Sequence, residues 1–312
     1  MTAVESAPAP MREHRAVSTR ETIGAYVSLM KLRVVELLLI TTVPAMVLAQ
    51  RGMPPLGLTI VTLIGGTLAA GSAHAFNQVL ERDIDAVMHR TRRRPVARAT
   101  VSPASGFLFA SALLVLSVVL MLLWVNPLAA VLTALANLFY VYVYTVILKR
   151  RTAQNIVWGG VAGCLPTMIG WSAITGSLDW PPVLLFLIVF FWTPPHYWPL
   201  AMRYREDYAR AGVPMLPVVA PARTVAKQIL LYSVAMVVTS FALWPVASLG
   251  WIYGLVAVLA GVWFVAEGVR LYRRAVTDES GASLGAMRVF HGSITYLTVV
   301  FVAVMADVLI LG

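Results

Sequence analysis

Three oxygen-bearing side chains, Asn77, Glu81 and Asp85, recur at every fourth position in the stretch from His74 to Asp85. Four residues turn an α-helix by about 400°, so each step drifts only ~40° and the three line one face. Asp83 falls off that face, toward solvent. An Asn with two acids offers the hard oxygen donors that Mg²⁺ takes, usually one or two carboxylates completed by substrate phosphates. Directly downstream comes Arg90-Thr91-Arg92-Arg93-Arg94-Pro95, and guanidinium forks match phosphate oxygens. An acidic helix face beside a basic run is what a Mg²⁺–diphosphate site needs. An interfacial helix with its acids paired to Arg82 and Arg90 would carry the same pattern. Polar residues at membrane depth, His74 and Asn77, favour the functional reading.

A second constellation runs from Trp192 to Pro217. Pro194, Pro195 and Pro199 fall within six residues, which predicts a broken or kinked helix, and a break inside a membrane is tolerated where it lines a cavity. His196 sits at that break among aromatics, including Trp198. It is either a haem-iron ligand or a hydrogen-bonded structural histidine. His74, three residues before Asn77, is either a second haem ligand or a side chain that orients Asn77. Arg203 and Asp207 stand four apart, the spacing of a helical ion pair. Between the two constellations lies Lys149-Arg150-Arg151, either a topological anchor or a phosphate site.

The elements carrying these residues are apolar. Of 312 residues, 59% are hydrophobic and 12% charged, about half the charge of a soluble domain. A polar, Ala- and Pro-rich tail over residues 1–22 reads as disordered. Nine apolar stretches follow, at 34–50, 56–79, 104–124, 127–148, 154–174, 181–202, 228–247, 250–270 and 289–311, each near the ~20 residues that span a bilayer. These predict an all-α integral membrane protein of about nine transmembrane helices, one domain over 23–312. The net charge of +10 suggests nucleic acid only until it is sorted by loop. Only Arg51 of the 24 Lys and Arg residues falls on one side of the expected topology. Cytoplasmic loops collect Lys and Arg, so the N-terminus is expected inside and the C-terminus outside, with no nucleic-acid partner. The long loops 80–103 and 203–227 share the basic side. The single cysteine, Cys164, excludes an intrachain disulfide.

Seven blocks together resemble the UbiA superfamily of intramembrane prenyltransferases, and within it the branch that prenylates haem. They are Lys31-x-Arg33, Asn77-x3-Glu81-Arg-Asp-x-Asp85, Arg90-Thr-Arg-Arg-Arg-Pro95, Lys149-Arg-Arg-Thr-x-Gln-Asn155, Trp192-Thr-Pro-Pro-His196, Glu206-Asp-Tyr-x-x-Ala-Gly212 through Pro217, and Ser293-x-x-Tyr296. The superfamily's first motif is N-x3-D-x3-D, where Glu81 replaces the middle acid. Its second is D-x3-D, where Asp207 fits and Arg203 stands at the first acid, a departure similar to the haem branch and unlike quinone-type enzymes. The resemblance implies a UbiA-type helical bundle in the cell membrane with its site toward the cytoplasm. The expected reaction is haem B, farnesyl diphosphate and water giving haem O and diphosphate. Asn77, Glu81 and Asp85 would hold Mg²⁺, with Asp207 assisting. Arg33, Arg90, Arg94, Lys149, Arg150 and Arg203 would take the diphosphate, and His196, His74, Tyr144 and Trp198 the haem and the developing cation. A downstream haem-modifying enzyme or oxidase assembly factor is a candidate partner. The competing readings are a prenyltransferase for an aromatic quinone precursor, a transporter or channel, and a haem-binding chaperone without catalysis.

Overall fold

A computed structural model describes residues 19–32, 35–277 and 284–312, with the side chains of 35–39 undescribed. Arg33 and the tail up to residue 18 therefore lie outside the described residues. Among those described, all regular secondary structure is helical. A short α1 (Thr19–Met30) precedes α2 (Val35–Gln50) and α3 (Leu56–Leu80), and α4 (Arg82–Val87) continues α3 past a break at Glu81. Then come α5 (Pro103–Trp124) and α6 (Pro127–Leu138), the latter prolonged by a π-helical segment, Phe139–Leu148. A short α7 (Asn155–Gly159) leads into α8 (Val161–Thr175), followed by α9 (Trp180–Arg203), α10 (Arg205–Arg210) and α11 (Leu216–Val219). Three long helices close the bundle: α12 (Ala222–Val246), α13 (Trp251–Thr277) and α14 (Ala286–Leu311).

Eight of these segments are long and apolar enough to cross a bilayer. The ninth expected span is α2, whose 16 described residues begin directly after two that lie outside the described set, so about nine spans remains consistent with the fold. The chain is a multi-pass membrane protein, and it is patterned accordingly. Large apolar side chains such as Leu108, Leu123 and Val262 are exposed around the outside, while Ser72, Ser117, Asn137 and Thr133 are buried. Lipid cannot satisfy these groups, so they bond to backbone within the bundle. Ser72 donates to the Ala110 carbonyl (2.7 Å), Ser117 to that of Gly65 (2.6 Å) and Asn137 to that of Ala69 (2.9 Å). Helices approach closely where a side chain is missing: a Cβ on Gly170 would stand 2.6 Å from the Thr42 carbonyl oxygen, so α2 and α8 meet there backbone to backbone. Exposed Trp124, Trp180 and Trp251 all stand at helix ends on one face, as interfacial aromatics do.

Three expectations change. The proline run does not break α9, which stays helical through Pro194, Pro195 and Pro199. Those prolines leave carbonyls without their usual donors, but α9 is flanked by α12 and α14, and Trp192 Nε1 fastens it to the Ser293 carbonyl at 2.7 Å. Tertiary packing holds what local chemistry would open. The stretch 154–174 is two helices meeting at Gly160, and 127–148 changes from α to π winding halfway.

The loops 80–103 and 203–227 touch through His89 and Asp207, so both emerge on one membrane face. In a Cys164→Ser background, single cysteines at Arg92 and at Arg205, both exposed, should react with an impermeant maleimide from the same side of sealed vesicles. Reaction from opposite sides would contradict the fold.

Candidate functional site

Glu81 and Asp85 are both buried, at 0% and 1% exposure, at the end of a membrane-spanning helix. An isolated buried carboxylate is costly unless it is paired, and each has a cation from elsewhere. Lys149 donates to Glu81 Oε2 at 2.5 Å, and Arg94 Nη1 donates to both oxygens of Asp85 at 2.7 Å. Neither partner is the Arg82 or Arg90 that an isolated interfacial helix would use: Arg82 bonds the Val79 carbonyl and Arg90 turns to Tyr208. Asn77 is buried on the same face and donates to Thr145 Oγ1 at 3.2 Å.

The π winding makes the Lys149 contact. Tyr140 and Lys149 are nine residues apart, and at about 100° per residue an α-helix would set them on opposite sides. The wider π turn, bonded from residue i to i+5, turns less per residue and brings them toward one face. Thr145 Oγ1 donates to the Tyr140 carbonyl at 3.0 Å and Lys149 N to the Tyr144 carbonyl at 2.9 Å, both five residues back. Tyr140 then meets His74 edge-on, with its hydroxyl 3.4 Å from Nδ1, and Lys149 lies 6.0 Å from the centre of the Tyr144 ring. Tyr144 itself fills the space of an absent side chain, since a Cβ on Gly159 would lie 2.2 Å from its ring.

A further cation went unassigned from sequence. Lys31, between α1 and α2, has left-handed backbone (φ 48°), a conformation that costs a non-glycine residue energy and recurs at functional sites. Its amine has no hydrogen bond or ion pair among the described residues. Burial pulls its pKa down to about 7, with Arg94 and Lys149 adding to the shift against Asp85 and Glu81. Its place beside Arg33 in a matching block was the available signal. The site thus holds three cations, Lys31, Arg94 and Lys149, around two carboxylates.

The second motif behaves differently. Asp207 is buried in α10 and accepts from the backbone N–H groups of His89 (3.4 Å) and Arg90 (3.3 Å). Its ion-pair partner is Arg210, not Arg203, which is exposed at the end of α9. Burial alone would raise the Asp207 pKa, but Arg210 and the two backbone donors hold it below the ordinary carboxylate range. Asp207 therefore clasps the arginine loop to α10. Arg90 continues the clasp, its guanidinium 3.3 Å from the Tyr208 hydroxyl and 5.7 Å from the Tyr204 ring centre. Arg150 is also turned away from the buried acids. It forms a two-pronged pair with exposed Asp83 at 2.8 Å, and that bond draws the Asp83 pKa down to about 2.

The haem candidates are dispersed. His196 Nδ1 lies 2.9 Å from Ser293 Oγ, and its ring is sandwiched between Trp192 (centroids 4.2 Å) and Phe290 (4.6 Å). Its Nε2 has no partner among the described residues. Trp198 is fully buried against Tyr232 of α12. His74 bonds Tyr140 rather than Asn77.

For a divalent cation, no group of three or more His, Cys, Asp and Glu side chains is close enough among the described residues. The donor set is two carboxylates and one amide, which fits Mg²⁺ only when substrate phosphates complete the shell. One observation supports that fit: Glu81 Oε1 is buried with no hydrogen-bond partner, an acceptor left over after Lys149 has taken Oε2.

Known proteins resemble this chain over most of its length. The model of the UbiA prenyltransferase family matches residues 38–294. A protoheme IX farnesyltransferase of Nocardioides sp. is 55% identical over 295 residues, covering 95% of this chain and 94% of its own. One of Frankia alni is 57% identical, covering 90% and 96%. Among solved structures, a digeranylgeranylglyceryl phosphate synthase superposes with a TM-score of 0.76 at 17% identity, over 92% of this chain and 99% of its own. A UbiA homolog from Archaeoglobus fulgidus, bound to GPP and Mg²⁺, gives 0.63 at 18%, over 90% and 99%. At such low identity the structures speak for the fold alone, and they support the expected UbiA-type bundle.

Removing one member of a buried pair strands the other. Lys149→Met should destabilise the protein by about 3–5 kcal/mol in detergent-titrated unfolding, and adding Glu81→Leu should restore most of the loss. A loss under ~1 kcal/mol for Lys149→Met would mean that the buried pair does not form.

Proposed function

The chain belongs to the UbiA prenyltransferase family, and on that premise we propose that it transfers a farnesyl group from farnesyl diphosphate to a vinyl group of haem B, with addition of water, giving haem O and diphosphate. It is a membrane prenyltransferase, and the names of relatives at 52–57% identity support haem as acceptor and farnesyl as donor. The observation that carries the reading is the half-buried set of Lys31, Arg94 and Lys149 around buried Glu81 and Asp85.

In the proposed reaction the allylic C1–O bond breaks and its electron pair leaves with the diphosphate. The vinyl π pair of haem forms the new C–C bond to C1. The cation left on the haem side is captured by water, which loses a proton to become the hydroxyl. Lys31, Arg94 and Lys149 stabilise the charge that develops on the departing diphosphate, where a low dielectric makes each worth more than in water. Asn77, Glu81 and Asp85 would hold Mg²⁺, which supplies further positive charge to the leaving group when bound. On diphosphate binding, Arg94 and Lys149 exchange carboxylate oxygens for phosphate oxygens. Asp207 acts through the loop, clasping the Arg90 backbone so that Arg94 stays over the site. Tyr140 and Tyr144 offer ring faces to the allylic cation. His196 is the proposed axial ligand: Ser293 fixes one ring nitrogen, as partners of ligating histidines commonly do, and leaves the other for iron. We place this face in the cytoplasm from its Lys and Arg excess, in the cell membrane.

With haem B, farnesyl diphosphate and Mg²⁺, the purified protein should give a product heavier by farnesol, farnesyl plus hydroxyl, detected by mass. Asp85→Ala should lower turnover by at least ~100-fold, the scale for losing a preorganised charged group, while the protein still inserts and folds. A prenylated quinone precursor and unmodified haem in competition would favour the quinone-type reading.

Ligation has a separate readout. His196→Ala should weaken haem binding and change the haem absorption spectrum of the purified protein, whereas Ser293→Ala should shift the spectrum with smaller loss of binding. An unchanged spectrum in His196→Ala would exclude ligation by His196 and leave the diphosphate site standing.

A further inference from the structure

Away from the helices that carry the buried carboxylates, α12 and α13 frame a concavity of about 500 Å³. Its floor is formed where the helices touch: a Cβ on Gly261 would stand 2.7 Å from Val237 Cγ1. Phe241 forms the wall on α12, and Val262, Val265, Ala266 and Val269 form the wall on α13. All of these are apolar, and the groove opens toward lipid, with Val262 67% exposed. Its basic end is closed by Arg270 and Arg273. From Gly261 to Arg273 is twelve residues, or about 18 Å of helix, close to half of a ~30 Å hydrocarbon core. The groove is therefore one leaflet long, apolar from the membrane centre outward, and ends in guanidinium groups at headgroup level.

Arginines outnumber acids at that end. Buried Glu267 pairs with Arg270, and Arg288 lies 3.7 Å from the same carboxylate. Arg274 turns to the Leu284 carbonyl at 3.4 Å. Arg273 is exposed and has no acidic partner among the described residues. From 267 to 288 the sequence sets four arginines against three acids, Glu267, Asp278 and Glu279, the last two outside the described residues, and Arg273 stands at the mouth of an acyl-sized trough. A neutral, zwitterionic lipid would leave that charge uncompensated, and guanidinium is well matched to phosphate. A positive-inside anchor explains arginines at a helix end, but not their position at the end of a groove with a glycine floor.

We propose that the α12–α13 groove is a binding site for an anionic membrane phospholipid, one acyl chain lying along Gly261–Val269 and its phosphate on Arg273 and Arg270. The site is separate from the prenyl-transfer centre and does not depend on that reading.

Native mass spectrometry of the detergent-purified full chain tests it, with phosphatidylglycerol and phosphatidylcholine of identical acyl chains as probes. The wild type should retain phosphatidylglycerol severalfold over phosphatidylcholine. Arg273→Gln should lower phosphatidylglycerol retention about fivefold, the effect of one basic residue at a headgroup, and leave phosphatidylcholine unchanged. Arg273 is exposed, so this variant leaves the packing intact. Ala266→Leu, which fills the trough, should lower retention of both lipids. The proposal is overturned if Arg273→Gln and the Arg270→Gln/Arg273→Gln pair retain phosphatidylglycerol as the wild type does, or if the wild type holds both lipids equally. It is also overturned if the groove instead covers a second copy, seen as a dimer that Ala266→Leu dissolves.

Discussion

Two carboxylates buried at the mouth of a membrane bundle set the terms for everything around them. Glu81 and Asp85 have almost no contact with solvent, and burying them as bare charges would cost far more than a fold can absorb. Each is matched by a cation from a different part of the chain: Lys149 from the end of the π-helical segment and Arg94 from the loop after α4, with Lys31 from the α1–α2 junction nearby. Buried pairs are poor sources of net stability. In the function proposed above, they hold a store of positive charge ready, in a low-dielectric site, for the diphosphate.

That store explains otherwise unfavourable local choices. A π-helix has poorer local geometry than an α-helix and is rare outside functional sites, yet ten residues of one run through Phe139–Leu148 because that winding turns Lys149 inward along with Tyr140. Left-handed backbone at Lys31 falls in the same class. Asp207 belongs here too: instead of joining the carboxylate face it holds the His89 and Arg90 backbone, which fixes the loop that carries Arg94. Structural strain and clasping both serve the arrangement of charge rather than the stability of the bundle.

Away from the site the physics is that of any bilayer-embedded bundle. Small residues let backbones meet, polar side chains bond to neighbouring carbonyls, and the outer surface is apolar with tryptophans near one face. Within this frame α9 remains helical through three prolines because neighbouring helices hold it on both sides, and His196 on α9 receives Ser293 from α14. The same contact that stabilises the helix orients the histidine.

Much of this was legible from residue order. Apolar runs of about twenty residues can be nothing but membrane helices or their buried equivalents, and four-residue spacing puts Asn77, Glu81 and Asp85 on one face whatever surrounds them. Those are properties of local geometry, so sequence alone determined the helical class and the acidic face. Sequence could not say which cation answers which acid, because ion pairs across the fold depend on positions tens of residues apart. Lys149 and Arg150 stand side by side in the sequence, yet the π turn sends one to Glu81 and the other to Asp83; spacing pairs Arg203 with Asp207, yet Asp207 takes Arg210 and the arginine loop instead. Lys31 is the plainest case: a lysine beside a helix end is unremarkable in a string of letters, and only the packing of α1 against α3 makes it a half-buried cation at the site. What the tertiary structure decided was pairing, since charge complementarity acts through space and is indifferent to order along the chain.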